Sequence, residues 1–312
     1  MPWKQGYTIS DEVGLADDEI RWPEGQRCCV RIVVDLGLAE SPEGLTPKSL
    51  RSPEAVFTMG EGLDVVLAML GKHALRATFA VPAMMAATYA QRVRALHDAG
   101  HEIAVNGLKN EDMTPLSRDE KSRRIAWATD MMRDVTGRQP VGWFGMPRVN
   151  DAFAVGTASS PLIDLLIDAG YLYFGNGLAD DIPHYWVPDF ARARSLLTLP
   201  SYYHFNDQYF MLYPRRGSGL ENPDVLVRNL RCEFDAQYAR GRHFEMTLHP
   251  QHVAWSNRMP GLERFLAHVA AQSGVWSATS EQCARHWLAA FPAEKTLHLE
   301  PSVWRDHEGS LS

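Results

Sequence analysis

Residues 100–113, GHEIAVNGLKNEDM, decide the fold that we predict for this chain of 312 residues. The stretch opens on Gly100, continues through the apolar residues 103–105, and ends in the polar side chains of Asn106 and Asn110. A glycine followed by a short apolar run is typical of a turn that leads into a buried strand. Since barrel enzymes place their chemistry at the ends of strands, the stretch predicts a strand that delivers two asparagines to such a site.

On both sides of this stretch, short apolar runs alternate with amphipathic segments. The predicted strands are residues 28–34, 74–81, 101–105, 141–145, 171–174, 196–200, 243–248 and 275–279. The predicted helices are residues 63–70, 84–99, 117–136, 161–169, 223–240, 261–270 and 281–290. This alternation predicts a parallel α/β sheet, either closed as a barrel or open and doubly wound, and the pattern alone favours neither form. Residues 38–60 contain three prolines and predict a long loop that is suited to a lid.

The composition is that of an ordinary globular protein, with 45% hydrophobic and 22% charged residues. A formal net charge of -7 disfavours nucleic acid as a partner, because a protein that binds nucleic acid presents a basic face. Residues 1–20 lack an apolar core of signal-peptide length, and no run reaches the roughly 18 apolar residues of a membrane helix. We therefore expect a cytoplasmic protein without a membrane partner.

The cysteines show no spacing that is typical of a metal site. They are Cys28, Cys29, Cys232 and Cys283, of which the first two are adjacent in an apolar strand. This pattern predicts buried, reduced thiols rather than a disulfide or a zinc site.

Five stretches occur in an order that resembles the NodB-type polysaccharide deacetylase superfamily. They are VVDLG (33–37), ALRATFAVP (74–82), GHEIAVNGLKN (100–110), LADDIPHYW (178–186) and FEMTLHPQH (244–252). The pattern is closest to the branch that contains the metal-independent allantoinases and the cyclic imide hydrolases. The resemblance covers most of residues 22–291. It implies an α/β fold, a distorted (β/α) barrel with about seven parallel strands. It also implies one catalytic domain over residues 1–312, with an N-terminal arm at 1–21 and a C-terminal tail at 292–312.

The resemblance also shows which parts of the usual active site have changed. In the superfamily, the first motif has two aspartates, a catalytic base and a metal ligand, and two histidines spaced H-x-x-x-H complete the metal site. Here Asp35 matches the base, but Leu36 replaces the ligand, and Asn106 and Asn110 replace the two histidines. His249 matches the histidine that acts as general acid. Because three ligand positions are lost, we expect no metal and no other cofactor.

Further residues are candidates for substrate binding. They are Asn106, Asn110, Trp143, Arg148, Asp181 and Trp186. Arg148 is the one arginine near the superfamily's middle motif, although it is displaced beyond a proline. Each candidate also has a structural interpretation: the asparagines could satisfy backbone groups, Asp181 could form an Asx turn, and the tryptophans could pack in the barrel. The spacing of His249 and His252 is loose for a zinc site, and the proline between them disfavours one.

The function that follows is ring opening without a metal. A cyclic imide or an allantoin-like ureide has a more electrophilic carbonyl and a less basic leaving nitrogen than an acyclic amide. Asp35 as base and His249 as acid could then suffice for hydrolysis. Two alternatives remain: a metal-dependent polysaccharide or N-acyl deacetylase, and a non-catalytic ligand-binding member of the same fold. As partners we expect a small cyclic amide and a second copy of the chain, in a dimer or tetramer.

Overall fold

A curled sheet forms the centre of the protein, in a computed structural model that describes residues 15–38, 41–145, 158–177, 181–189, 192–201, 206–207 and 222–297. The strands of these residues are β1 (Cys28–Asp35), β2 (Thr78–Val81), β3 (Glu102–Asn106), β4 (Gly142–Phe144), β5 (Tyr173–Gly177), β6 (His184–Asp189), β7 (Arg194–Pro200), β8 (His243–Leu248) and β9 (Val275–Ala278). Their order is β6-β7-β5-β4-β3-β2-β1-β8, and β9 also pairs with β1.

The pairing of these strands confirms the predicted α/β barrel fold, in the form of a half-barrel. Strand β6 pairs antiparallel to β7, whereas every other pairing between these strands is parallel. The described sheet therefore has nine strands, of which eight run parallel. The short antiparallel strand β6 was not predicted.

The helices pack against both faces of the sheet: most contribute residues to the outer core, whereas Cys283, Ala284 and Trp287 of the helix Ser280–Ala290 lie in the core inside the curl. They are α1 (Pro53–Phe57), α2 (Leu63–Lys72), α3 (Ala83–Thr88), α4 (Ala90–Asp98), α5 (Arg118–Thr136), α6 (Ser160–Asp168), α7 (Pro223–Arg240), α8 (Pro250–Val253), α9 (Met259–Ala270), α10 (Ser280–Ala290) and α11 (Ala293–Thr296). Short 3₁₀ helices lie at Pro23–Gly25 and Ser49–Arg51, and a π-helix lies at Thr58–Gly62. Within the described residues, none of the helices has both the length and the apolar surface that crossing a membrane requires.

Alternate residues of the strands face two different environments, as the two-residue period of a strand requires. In β1, Ile32 and Val34 pack in the large core between the sheet and the helices. Val33, between them, packs in a second core inside the curled sheet. Arg31 and Asp35 share the inward face with Val33, so the same strand presents apolar residues outward and charged residues inward.

Two predicted segments differ from the structure. Residues 38–60 are not one long loop, because Ser49–Arg51, α1 and the beginning of the π-helix lie within them. Ser52 accepts a hydrogen bond from the backbone amide of Ala55, which caps α1 in the usual way. The helix predicted at 84–99 is two helices that meet at Tyr89, whose backbone (φ -115°, ψ 40°) is not helical.

The cysteines follow the prediction at three of their four positions. Cys28, Cys29 and Cys283 are buried free thiols. Burial raises the pKa of Cys28 to about 12, which leaves its thiol unreactive. The prediction was wrong for Cys232, which is exposed, because it lies on the solvent face of the amphipathic helix α7.

A buried arginine joins four elements at the inner face of the sheet. The side chain of Arg31 is fully buried. Its Nε donates to His243 Nε2 at 2.8 Å, and its Nη1 donates to Ser280 Oγ at 2.8 Å. Its Nη2 donates to the carbonyl of Pro200. Arg31 of β1 thus holds together β7, β8 and the beginning of α10.

We predict that Arg31→Met lowers the free energy of unfolding by at least about 3 kcal/mol, because three buried acceptors lose their donor. Urea denaturation measures the change. Arg27→Met is the matched control. Arg27 also donates hydrogen bonds to backbone carbonyls, those of Tyr238 and Ala239, but its side chain is exposed. We expect the control to cost less than about 1 kcal/mol, and equal costs for the two variants would contradict the role of Arg31.

Candidate active site

Asp35 lies at the carboxyl end of β1 with one of its oxygens fixed in place. Its Oδ1 accepts hydrogen bonds from the backbone amide of Gly37 at 2.6 Å and from Asn106 Nδ2 at 2.8 Å. Its side chain is 25% exposed, so the carboxylate can still meet a small molecule. The second oxygen, Oδ2, points toward His249.

His249 follows β8 and is held by a buried carboxylate. Asp207 Oδ1 lies 2.6 Å from His249 Nδ1, and Asp207 Oδ2 accepts a hydrogen bond from the backbone amide of His249 at 2.7 Å. Asp207 is fully buried and His249 is nearly so. A carboxylate on Nδ1 places the proton there, so that His249 presents Nε2 toward Asp35.

The facing atoms of the two residues suit one reacting group between them. His249 Nε2 lies 3.7 Å from Asp35 Oδ2, which is too long for a direct hydrogen bond. One water or one substrate atom between the two atoms can hydrogen-bond to both. The sequence predicted this pair, and the structure brings the two side chains together.

Burial and charge raise the pKa values of both groups. Burial raises the pKa of Asp35 above its usual range, although His249 and the hydrogen bonds from Gly37 and Asn106 act in the opposite direction. Burial lowers the pKa of His249, but the carboxylates of Asp207 and Asp35 outweigh it, and the net pKa is raised. A raised carboxyl pKa makes a stronger base, and a raised imidazole pKa keeps an acid protonated near neutral pH.

Both asparagines of the 100–113 stretch lie at this site. Asn106 ends β3 and is 1% exposed, whereas Asn110 is 8% exposed and has a left-handed backbone (φ 55°). A Cβ at Gly37 would lie only 2.6 Å from Asn110 Oδ1 and 2.8 Å from Asp35 Oδ1. Gly37 is therefore the residue that lets these two side chains come close to the turn after β1.

The structure does not bring the other candidates to Asp35. Trp143 and Trp186 pack in the core between the sheet and the helices, so they do not line the inside of the barrel. The carboxylate of Asp181 is bound instead by Arg242 Nη2 at 3.0 Å and Arg240 Nη1 at 3.3 Å. Because Arg242 precedes β8, Asp181 lies at the opposite end of that strand from His249. None of these three residues contacts Asp35, and their contact with substrate stays a prediction, whereas Arg148 lies outside the described residues.

Sequence reasoning missed Asp207. The residue lies between β7 and α7, 42 positions before His249, in a segment without a periodic pattern. A histidine that acts as an acid usually has a carboxylate on its other nitrogen, which predicts that such a residue exists. It does not predict which of the many acidic residues takes that position.

The metal that the superfamily resemblance implies does not fit the residues present. Leu36 is fully buried in the core that packs against the helices, where it has no atom that can bind a metal. Asn106 directs its NH₂ group to Asp35, and an amide hydrogen cannot bind a cation. Leu36 and Asn106 therefore replace metal coordination by packing and by a hydrogen bond.

Two groups of side chains elsewhere in the described residues have the composition of a metal site. One is Cys29, His243 and Cys283, and the other is Asp207, His249 and His252. In each group, one ligand atom from each residue lies within 4.8 Å of the other two. The second group shares Asp207 and His249 with the site described above.

Comparisons with known proteins agree with this fold. Residues 58–158 match the family described as polysaccharide deacetylase. A peptidoglycan deacetylase of Helicobacter pylori is 20% identical over 270 residues, which cover 77% of this chain and 88% of that protein. A Mycobacterium smegmatis protein assigned to the polysaccharide deacetylases has a TM-score of 0.74 at 25% identity, over 94% of this chain and all of the other. The PuuE allantoinase has a TM-score of 0.73 at 20% identity, over 90% of this chain and 95% of that chain.

We predict that Asp207→Asn lowers the pKa of His249, because burial then acts without the carboxylate that opposes it. In the wild type, the raised pKa means that protonated His249 stabilises the fold. That stabilisation is fully present below the unfolded pKa of about 6.5 and is lost as the pH rises through the folded pKa. The variant should therefore lose more stability at about pH 5.5 than at about pH 8.5.

Histidine NMR titration and urea denaturation at the two pH values measure these effects. Asp235→Asn is the matched control, since Asp235 pairs with His268 at 2.6 Å but at the surface. It should cost less than about 1 kcal/mol at either pH. A stability loss in Asp207→Asn that does not change with pH would contradict the assignment.

Proposed function

We propose that the chain is an amidohydrolase that opens cyclic amides without a metal, on the fold of the polysaccharide deacetylases, whose family residues 58–158 match and whose fold the Mycobacterium smegmatis neighbour shares. The substrate class is a cyclic imide or an allantoin-like ureide. Asp35 is the general base and His249 is the general acid.

The hydrogen bond from Asn106 Nδ2 to Asp35 Oδ1, at 2.8 Å, carries this proposal. An amide donor orients the carboxylate at a position where the resemblance implies a metal-binding histidine. Together with the amide of Gly37, it fixes Oδ1 and leaves Oδ2 directed at His249. Neutral donors thus hold Asp35. They do not cancel its negative charge, so the carboxylate can still accept a proton.

The chemistry follows from the two facing atoms. A water lies between Asp35 Oδ2 and His249 Nε2. It gives a proton to Asp35 while the oxygen of the water attacks the ring carbonyl. The C–N bond of the tetrahedral intermediate then breaks, and protonated His249 donates its Nε2 proton to the departing nitrogen. Asp207 stabilises the positive charge on His249 before this transfer, since it accepts the hydrogen bond from Nδ1.

The choice of a cyclic substrate depends on the metal ligands that Leu36 and Asn106 do not supply beside Asp35 and His249. A metal supplies several kcal/mol by polarising a carbonyl, and an acyclic amide is hard to hydrolyse without that help. The second carbonyl of an imide or ureide makes the carbon more electrophilic and the nitrogen a better leaving group. A positioned base and a positioned acid each accelerate a reaction by about 10²–10⁴-fold, which suits the hydrolysis of such an activated ring. That one structural neighbour is an allantoinase is consistent with this class.

Metal-dependent deacetylation is the second candidate. The observation in its favour is the group Asp207, His249 and His252, which offers one carboxylate and two imidazoles. Such a set resembles catalytic zinc sites in general. The name of the Helicobacter pylori relative, a peptidoglycan deacetylase, points in the same direction.

We predict that the purified protein, after treatment with a strong chelator, hydrolyses a small cyclic imide or a hydantoin at a measurable rate. The same sample should not deacetylate N-acetylglucosamine oligomers. Release of the ring-opened acid, followed by chromatography, measures the first reaction, and released acetate measures the second. If the chelator abolishes every activity and zinc restores deacetylation, the second candidate replaces the first.

We also predict that Asp35→Ala and His249→Ala each lower turnover by about two to four orders of magnitude, the usual range for a general base or acid. The double variant should be little worse than the worse single variant, because the two groups act on one transition state. Steady-state kinetics on the cyclic substrate measure all three.

Circular dichroism and thermal melting must show that these variants fold. Asn106→Ala provides an internal comparison, because loss of one hydrogen bond to Asp35 should cost less than loss of Asp35 itself. Full activity of folded Asp35→Ala would show that Asp35 is not the base.

A further inference from the structure

Three buried side chains beside the proposed catalytic pair have the residue types of a transition-metal site. They are Asp207, His249 and His252, and one ligand atom of each lies within 4.8 Å of the other two. The ring centroids of His249 and His252 are 5.2 Å apart. Asp207 is fully buried, His249 is 3% exposed and His252 is 7% exposed.

His252 is in the form that binds a metal. Burial lowers its pKa to about 4, so the imidazole is neutral at physiological pH. Its Nδ1 is buried, and within the described residues it has no hydrogen-bond partner. A buried nitrogen in this state is uncommon in folded proteins and calls for a partner of some kind. The reaction proposed above gives His252 no role.

Asp207 is fixed in an orientation that leaves one oxygen for a metal. The backbone amide of His249 holds Oδ2 at 2.7 Å, and that bond need not break when a cation binds. Oδ1 now accepts the Nδ1 proton of His249 at 2.6 Å. A cation between Oδ1 and the two imidazoles would replace that shared proton.

The charges around His249 favour a divalent ion. Asp207 lies on one side of the ring and Asp35 on the other, at 2.6 Å and 3.7 Å. With one protonated imidazole between them, two ionised carboxylates leave a net charge of minus one, whereas a divalent cation in place of that proton leaves the group neutral. Buried charge is costly unless it is balanced, so the exchange is electrostatically favourable.

The donor set selects the class of ion. Two imidazole nitrogens and one carboxylate oxygen suit zinc, cobalt and nickel. Magnesium and calcium prefer sets made of oxygen alone. The other group of metal-binding types, Cys29, His243 and Cys283, is less suitable, because His243 Nε2 already accepts a hydrogen bond from the cationic Arg31.

We propose that Asp207, His249 and His252 bind one divalent ion of the zinc class and that this ion inhibits the hydrolase. The site is displaced from the superfamily's metal position, which Leu36 and Asn106 cannot serve. Inhibition follows because an ion on Nδ1 takes the place of the proton there, so the ring is no longer an imidazolium, and the Nε2 proton of a neutral, metal-bound imidazole is a much weaker acid toward the leaving nitrogen. The inhibition rests on the proposed function, whereas the binding itself does not.

Titration of the chelator-treated, dialysed protein with zinc chloride tests the binding. Isothermal calorimetry of the wild type should show one ion per chain. His252→Gln should weaken the affinity at least tenfold, since loss of even an outer-shell partner costs about 10–100-fold. His268→Gln is the matched control, because His268 also pairs with a carboxylate at 2.6 Å, but among the described residues it belongs to no group of three possible ligands. The control should bind zinc as tightly as the wild type.

No binding by the wild type, or equal affinity in wild type and His252→Gln, would overturn the site. Cobalt chloride added to the wild-type protein keeps the test decisive if His252→Gln does not fold. A visible spectrum of four- or five-coordinate cobalt with one equivalent bound supports the site. A spectrum of octahedral cobalt, typical of weakly held surface ions, would count against it.

A second measurement separates the site from the reaction. One equivalent of zinc should lower the turnover of a cyclic imide at least tenfold, and chelator should restore it. If the metal-free protein opens no cyclic amide but zinc still binds through His252, the site is correct and the proposed function is wrong. If zinc activates deacetylation, the site is correct and the inhibition is wrong. If the ring is opened but zinc neither binds nor inhibits, the metal inference alone is overturned.

Discussion

The parallel pairing of β1 with β8 is the constraint on which the candidate site depends. Six consecutive residue pairs are in register, from Cys29 with His243 to Val34 with Leu248. Asp35 and His249 are the next residues on the two strands, so the same register that builds the sheet brings the proposed base and the proposed acid side by side. A shift of one residue would turn the strand's side chains to the other face, and for that reason the apolar outer core also fixes the site.

The electrostatics of the site follow from its position at the edge of an apolar interior. A carboxylate and an imidazole that are removed from water each lose solvation, which by itself favours their neutral forms. Asp207 reverses this effect at His249, whereas at Asp35 the charge of His249 and the amides of Gly37 and Asn106 only reduce it. The pKa values of the proposed base and of the proposed acid are therefore both raised. One additional buried carboxylate, that of Asp207, raises the pKa of His249, and two neutral donors, Gly37 and Asn106, moderate the rise at Asp35.

The sequence predicted the parts of this arrangement that depend on local pattern. Apolar runs and glycine turns predict the strands, and the resemblance assigns roles to Asp35 and His249 at their ends. Asp207 could not be predicted, because its role arises from a contact over 42 positions. The helices within residues 38–60 depend on a serine cap and on packing that a proline-rich composition conceals. The sequence predicted Trp143 as a substrate-binding residue. Only the register of its strand decides that Trp143 faces the outer core, and the sequence does not give that register.

Leu36 and Asn106 stand at positions where the superfamily resemblance implies metal ligands, and each has another role in this structure. Leu36 is part of the outer core, where a carboxylate would be buried without a partner. Asn106 supplies a hydrogen bond to Asp35 from its side-chain amide. Two histidines at Asn106 and Asn110 would therefore remove a donor from the base and still leave the site a carboxylate short. In this structure hydrogen bonds from Gly37 and Asn106 hold Asp35, the proposed base, and the imidazoles of His249 and His252 lie beside it.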